Sequence, residues 1–250
     1  MKLPFKTNSE LAAKEERKKN YLSAYVLWKK ASKLTGKEIN KHWCISRAEW
    51  CQKMHQEEVK LKTRKSMYRI NTYYGHTIDY IKPDPNEIDI RDIAHNLSFE
   101  NRFIGQTAEP YSVAQHCVLG SYIFEEMGLP ELAFLFLLHD AAEAYLKDIP
   151  TPLKYLLSEP YRNIEDRFNL AIHQRFNVEY KKLPAIKSMD LSMLATEKEQ
   201  LLPPASVEWP QLKGVSPANI AIVFWQPHQA ESAYLAQFKH LTEILNYGDK

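Results

Sequence analysis

The chain has 250 residues, 44% hydrophobic, with 33 basic and 31 acidic side chains, which suits one large domain or two small ones with an ordinary core. Its longest apolar run, AFLFLL before His139, is far short of a membrane span, so no membrane association is expected. The basic N-terminus lacks the apolar centre of a secretory signal, so a cytoplasmic protein is expected, and Cys44, Cys51 and Cys117 are too few and too scattered for a disulfide framework.

The charge is unevenly spread. Residues 1–66 carry 17 Lys+Arg and 7 Asp+Glu, a net +10, while the remainder is −8. Such asymmetry suggests two units with different partners. A basic unit of this kind is either a solvated, Lys-rich helical face or a surface for an acidic protein or nucleic acid. We place the boundary at the basic connector Lys60–Lys65, giving a helical hairpin over 1–65 and a larger unit over 66–250.

In chain order, Thr7 and Glu10 have capping-box spacing. Tyr21, Leu22, Tyr25, Val26 and Trp28 then form an apolar stripe at helical period, closed by Gly36. A second helix is predicted from about Ile39 to Val59, carrying Trp43, Ala48, Trp50 and Met54. His42, Cys44, Cys51 and His55 lie along it without the CxxC spacing of a zinc finger. MYRINTYYGHTIDYI is rich in β-formers and predicts two short strands turning near Gly75. A short helix fits Ile88–Leu97. Ser112 caps a helix through about Met127 that Gly128 closes, and Pro130 opens a helix to about Leu146. Helices are also predicted at Glu159–Phe176 and Ala185–Leu202. PPASVEWPQLKGVSP is irregular, and AESAYLAQFKHLTEIL is a final amphipathic helix. The fold class expected is all-α, with a small β-hairpin at its edge and an N-terminal helical hairpin.

The chemistry centres on His139-Asp140, side by side in an apolar helix. A buried carboxylate needs a partner or a cation. His139, Asp140 and Glu143 share one side of that helix. His116 lies on the preceding predicted helix and Asp190 on a later one. Two imidazoles with carboxylates suit a divalent ion with positions open to water. A lone HD pair is also what a buried His bonded to its neighbouring Asp looks like. The order H…HD…D, with a Glu one turn after the HD, is more specific.

The segments YSVAQHCVLGSYIF, LLHDAAEAYLKDIPTPLKY and IKSMD resemble the HD-domain metal-dependent phosphohydrolases. The likeness is greatest to the YfbR-like 5′-deoxynucleotidases and phage-type dATP triphosphohydrolases, over roughly Met67 to Gln200. The resemblance implies an HD-domain helical bundle and a divalent cofactor (Mn, Co, Zn, Fe or Mg) held by His116, His139, Asp140 and Asp190. It implies Glu143 as the catalytic carboxylate and Asp148 as an acidic residue near the substrate phosphate and a second metal. It implies Arg102-Phe103 as a pair holding phosphate and nucleoside, with Phe103 where the family has Trp, so stacking survives without the indole N–H. Lys147 stands where the family's loop has glycine. Lys187, one turn before Asp190, is a further phosphate contact or a solvated lysine. The reaction implied is in-line hydrolysis at the phosphorus nearest the nucleoside, of a mono- or a triphosphate, by a protein that is also expected to form homo-oligomers. A cyclic or modified nucleotide would serve the same ligands. The stretch ELAAKEERKKNYLSAYVLWKKASKLTGKEINKHWCISRAEWCQKM resembles the ANR/PerC-type regulators, which implies a transcription-factor or nucleic-acid partner.

Overall fold

The computed structural model describes residues 4–204 and 208–247. The chain divides into two compact units, residues 1–69 and 70–250. The irregular stretch predicted from Pro203 falls partly outside the described residues.

The first unit has three helices, α1 (Phe5–Arg17), α2 (Tyr21–Leu34) and α3 (Glu38–Ser66). The first arm of the predicted hairpin is thus split. Arg17, Lys18 and Lys19 are three successive cations, Lys19 takes φ +61°, and the Asn20 amide donates to Glu15. No capping box forms at Thr7, because α1 already begins at Phe5 behind Pro4. The Lys60–Lys65 connector continues α3. The buried face of α3 is Cys44, Ala48 and Cys51, against Ala12, Ala24, Trp28 and Ala31. Trp43 and Trp50 stand at its margins, edge-on to Trp28 and Tyr21. Small residues let the helix axes approach, and the large rings stand at the rim. Glu16 ties the unit together by accepting from Trp28 Nε1 at 3.0 Å and from Arg47.

The second unit opens on an antiparallel two-stranded sheet, β1 (Arg69–Asn71) and β2 (Thr77–Asp79). Gly75 turns between them at φ +90°, which glycine adopts without penalty. The rest of the unit is helical: α4 (Ile90–Phe99), α5 (Val113–Glu126), α6 (Pro130–Leu138), α7 (Glu143–Leu146), α8 (Thr151–Arg175), α9 (Pro184–Leu201) and α10 (Pro227–Leu245). Asp89 and Ser112 cap α4 and α5 with their side chains. The core is built from Phe134, Phe136, Leu137 and Leu138 of α6, Ile93 and Leu97 of α4, Val118 of α5, and Ala230, Tyr234 and Leu241 of α10. Among the described residues no helix is long and apolar enough to cross a membrane.

Two predicted helices differ in detail. The helix over 130–146 is interrupted, because from Leu138 the bonds shorten to i→i−3, Ala141 N–H to Leu138 at 3.0 Å and Glu143 N–H to Asp140 at 2.9 Å. Helix α8 starts eight residues before the predicted start, at Thr151, and breaks at Ser158 (φ +57°), just before Pro160.

The irregular segment before α10 is held by side chains acting as a ladder. On α9, Ser192 donates to Ser216 O, Thr196 bonds both backbone groups of Ala218, and Gln200 bonds Ile220 and Ile222. On α5, Gln115 donates to Val223 O and accepts from Trp225 N–H. Backbone that lacks a sheet partner is thereby satisfied, and α5 and α9 are joined through it.

Candidate metal centre

Three elements bring the four predicted ligands together. His116, fully buried, projects from α5; His139 and Asp140 sit on the tightened turn after α6; Asp190 lies on α9. His116 Nε2 is 3.4 Å from His139 Nε2, 3.8 Å from Asp140 Oδ2 and 3.7 Å from Asp190 Oδ1. His139 Nε2 is 3.2 Å from Asp140 Oδ2 and 4.0 Å from Asp190 Oδ1. Among the described residues, His116, His139 and Asp140 offer one donor atom each, all within 4.8 Å of one another.

The orientation of the two rings is more telling than their distance. His116 Nδ1 is 2.6 Å from Glu197 Oε1, and His139 Nδ1 is 2.6 Å from the Phe136 carbonyl. Both partners only accept, so each Nδ1 donates and each ring turns its Nε2 inward, the nitrogen that a cation would take in place of a proton. Two imidazole nitrogens and two carboxylates thus face one another, an arrangement that a cation resolves. An ion about 2.1 Å from each donor would hold neighbouring donors about 3.0 Å apart at a right angle and about 3.4 Å apart at the tetrahedral angle. The separations among His116, His139 and Asp140 lie in that range and at the wider angles beyond it, so these three fit a divalent cation, with Asp190 within 4.0 Å of both imidazoles as the candidate fourth donor. Without one, burial disfavours an imidazolium at His139, but the Asp140 carboxylate outweighs it and holds the ring's pKa well above its usual value. Burial likewise opposes ionisation of Asp140, and His139, His116 and Arg102 together hold its carboxyl well below the usual range.

The other predicted residues surround this cluster. Glu143 is buried on α7. One of its oxygens accepts from Lys154 at 3.2 Å, and Oε2 has no partner among the described residues. Burial, and after it the charges of Asp140 and Asp148, push its pKa well above the usual carboxyl value. Asp148 is also raised by burial, against the pull of Arg102. Arg102 is buried, with Nη1 3.6 Å from Asp140, while its Nε–Nη2 edge is occupied by Glu197. Its donors are therefore only partly available, contrary to a free bidentate fork. Phe103 lies with its ring 5.6 Å from the Arg102 guanidinium carbon and 6.3 Å from Trp209. Phe103 and Ile104 both take positive φ, near +57° and +55°, in a loop that Gly105 continues. Lys187 Nζ is 2.8 Å from Asp190 Oδ2, so it is tied to a ligand. A cavity of about 380 Å³ opens beside His139 and Asp190, lined also by Asn169, His173, Tyr180 and Lys187. A larger one, near Phe176 and Phe238, has no ligating cluster and lies away from these residues.

Two residues that sequence reasoning passed over belong here. Glu197 holds His116 and Arg102, and Lys154 bridges Glu143 and Glu165. A charged residue on a mixed helix reads as solvated. The available signal was Glu197 standing seven residues after Asp190, two turns along one face. Cys44 and Cys51 are packed in the core of the first unit, apart from any metal-binding group among the described residues. His76 is bonded to Asp92 at 2.8 Å, and His95 is stacked on Tyr73.

No family model matches the chain. Over 176 residues it is 36% identical to the uncharacterized protein YfdR of Escherichia coli, a match covering 70% of this chain and 96% of that protein. Over 186 residues it is 34% identical to an uncharacterized protein of Rhodobacter capsulatus, covering 69% and 94% respectively. Identity at this level across nearly the whole of a relative means that the chain belongs to the family of the Escherichia coli YfdR protein.

Proposed function

We propose that this protein is a metal-dependent phosphohydrolase of (deoxy)nucleotides, cleaving the phosphoester at the nucleoside 5′ position. The observation that carries the reading is the pair of Nε2 atoms facing each other at 3.4 Å, each ring's Nδ1 already engaged, with Asp140 and Asp190 beside them. His116, His139, Asp140 and Asp190 would hold the cation. Bound there, it would make a nucleophile of water near neutral pH and offset charge on the phosphoryl oxygens. Arg102, through Nη1, binds a phosphate oxygen next to Asp140. Glu143, whose Oε2 is without a partner and whose pKa is raised, holds a proton to pass to the leaving oxygen. Asp148 orients the incoming water, Phe103 stacks on the nucleoside, and Lys187 steadies Asp190 or a phosphate oxygen.

The test is to incubate purified full-length protein with the common nucleotides and Mn²⁺, Co²⁺, Zn²⁺, Fe²⁺ or Mg²⁺, resolving products by chromatography. Release of phosphate or triphosphate is expected, and Asp140→Ala should abolish it with the fold intact. Undiminished hydrolysis by Asp140→Ala defeats the reading.

The charge of the first unit favours a second role beside this one, a regulatory surface for a nucleic acid or for an acidic transcription factor. Lys29, Lys30 and Lys33 are exposed together on α2. If they serve it, binding of a DNA duplex weakens steeply with salt and is lost on replacing all three by Glu, with hydrolysis unchanged. Equal binding by the triple variant removes this surface from consideration.

A further inference from the structure

We propose that Glu197 is a positioning residue through which one carboxylate sets both the cation site and the phosphate-binding arginine. The inference rests on the phosphohydrolase reading and adds to it a residue outside the ligand set.

The Glu197 side chain is fully buried, where a carboxylate survives only if its oxygens are saturated with donors. They are. Oε1 lies 2.6 Å from His116 Nδ1 and accepts from the Tyr111 hydroxyl at 2.9 Å. Oε2 accepts from Arg102 Nη2 at 2.9 Å and Nε at 3.2 Å. Two of these contacts come from the Arg102 guanidinium, whose fork pairs with a carboxylate.

Each bond has a separate consequence. The bond to His116 keeps the proton on Nδ1 and leaves Nε2 free to ligate, and an anionic acceptor makes that nitrogen a stronger donor to a metal. The two bonds to Arg102 fix the guanidinium plane and turn Nη1 toward Asp140, where a phosphate oxygen would have to lie. Tyr111 restrains rotation of the carboxylate. Helix α9 thus contributes Asp190 as a ligand and, two turns later on the same face, the group that orients a second ligand from α5. Cation affinity and phosphate affinity are therefore set by one side chain.

Glu197→Gln is nearly isosteric but offers one oxygen in place of two. Its amide NH₂ must face either the Nδ1–H of His116 or the guanidinium of Arg102, donor against donor. The Mn²⁺ dissociation constant, read from the paramagnetic resonance signal of free Mn²⁺, is expected to rise about 10–100-fold over wild type. At saturating Mn²⁺, inorganic phosphate should bind Glu197→Gln as weakly as it binds Arg102→Ala. Glu197→Asp keeps the charge on a shorter stem and should fall between wild type and Glu197→Gln. It also carries the test should Glu197→Gln not fold. A purely structural Glu197 would lower the melting temperature and leave both affinities of the folded protein unchanged. Wild-type protein that binds none of Mn²⁺, Co²⁺, Zn²⁺, Fe²⁺ and Mg²⁺ overturns the phosphohydrolase reading and this inference with it. Wild-type binding matched by the Glu197 variants overturns the role of Glu197 alone.

Discussion

Gly120, in the middle of α5, is the position where the smallest covalent change should do the most damage. A methyl group there would sit 2.1 Å from Phe136 Cε1 and 2.6 Å from Cζ, against the 3.4 Å or more of ordinary contact. The ring would have to retreat by more than 1 Å, and it is fully buried on α6, against Phe124 and His116. Alanine should gain about 1 kcal/mol over glycine from helix propensity. Overpacking a closed core costs about 1–3 kcal/mol, occasionally more, and a misfit this large belongs at the upper end. The net expectation for Gly120→Ala is a loss of about 1–2 kcal/mol, a fall of roughly 2–8 °C in melting temperature for a unit of this size. The effect should not stop at stability. The Phe136 ring lies 4.3 Å from that of His139, and its carbonyl holds His139 Nδ1, so the displaced ring should also weaken Mn²⁺ binding. Calorimetric melting and Mn²⁺ titration measure the two effects. Phe136→Leu removes Cε1 and Cζ, two of the clashing carbons, and should recover part of the loss in the double variant, a coupling that distant sites do not show. A Gly120→Ala protein as stable as wild type, with unchanged Mn²⁺ affinity, would refute the packing argument.

Lys147, at φ +74° and ψ 155°, occupies backbone space favoured by glycine and costing another residue about 1–3 kcal/mol. Lys147→Gly should therefore be more stable than Lys147→Ala by about 1 kcal/mol in urea titrations, inverting the usual order; the comparison cancels loss of the exposed pair with Glu100, and an Ala variant as stable as the Gly one defeats it. Glu125 binds Gln237 and His240 of α10, and these outweigh burial to lower its pKa. A depressed carboxyl stabilises the fold above its unfolded value of about 4.3 and loses that contribution as pH falls through the folded value. The advantage of wild type over Glu125→Gln, at most about 1 kcal/mol for so exposed a pair, should thus be flat at neutral pH and vanish in acid melts; an advantage that grew in acid would contradict the assignment. In the first unit, Glu16→Ala leaves Trp28 Nε1 and Arg47 without their acceptor and should cost about 1–3 kcal/mol. Circular dichroism would follow that loss, and an unchanged melt would show that Glu16 does not clamp the unit.

How much was legible beforehand depends on the kind of force at each place. Capping and periodicity are local, so Ser112, Gly128, Pro130 and the turn at Gly75 stand where the sequence puts them. Which face of α3 is buried is decided by how closely two other helices approach, so Ala and Cys displaced Trp43 and Trp50 from the core. The four candidate ligands stood out because imidazole and carboxylate on apolar helices need a reason to be there, and the fold brings their side chains together. Glu197 was harder to read, since its partners come from 81 and 95 residues away and its one local signal is the two-turn spacing from Asp190. Lys154 escaped notice because the turn that carries it, Thr151–Leu157, lies between two prolines that read as loop.

The tightened turn after α6 shows why adjacent residues can serve one ion. In a regular α-helix His139 and Asp140 would diverge by about 100° around the axis. Shortening the bonds to i→i−3 alone widens that angle to about 120°, so convergence must come from the side chains. It comes through the Phe136 carbonyl, which takes the Nδ1–H of His139 at 2.6 Å and draws the ring back over the preceding turn. Nε2 then lies 3.2 Å from Asp140 Oδ2. Phe136 is therefore doubly committed, its ring filling the space that Gly120 leaves and its carbonyl aiming a ligand. Packing between α5 and α6 thereby governs the direction of an imidazole, which is how a methyl group on the far side of Phe136 would be felt at the proposed cation site.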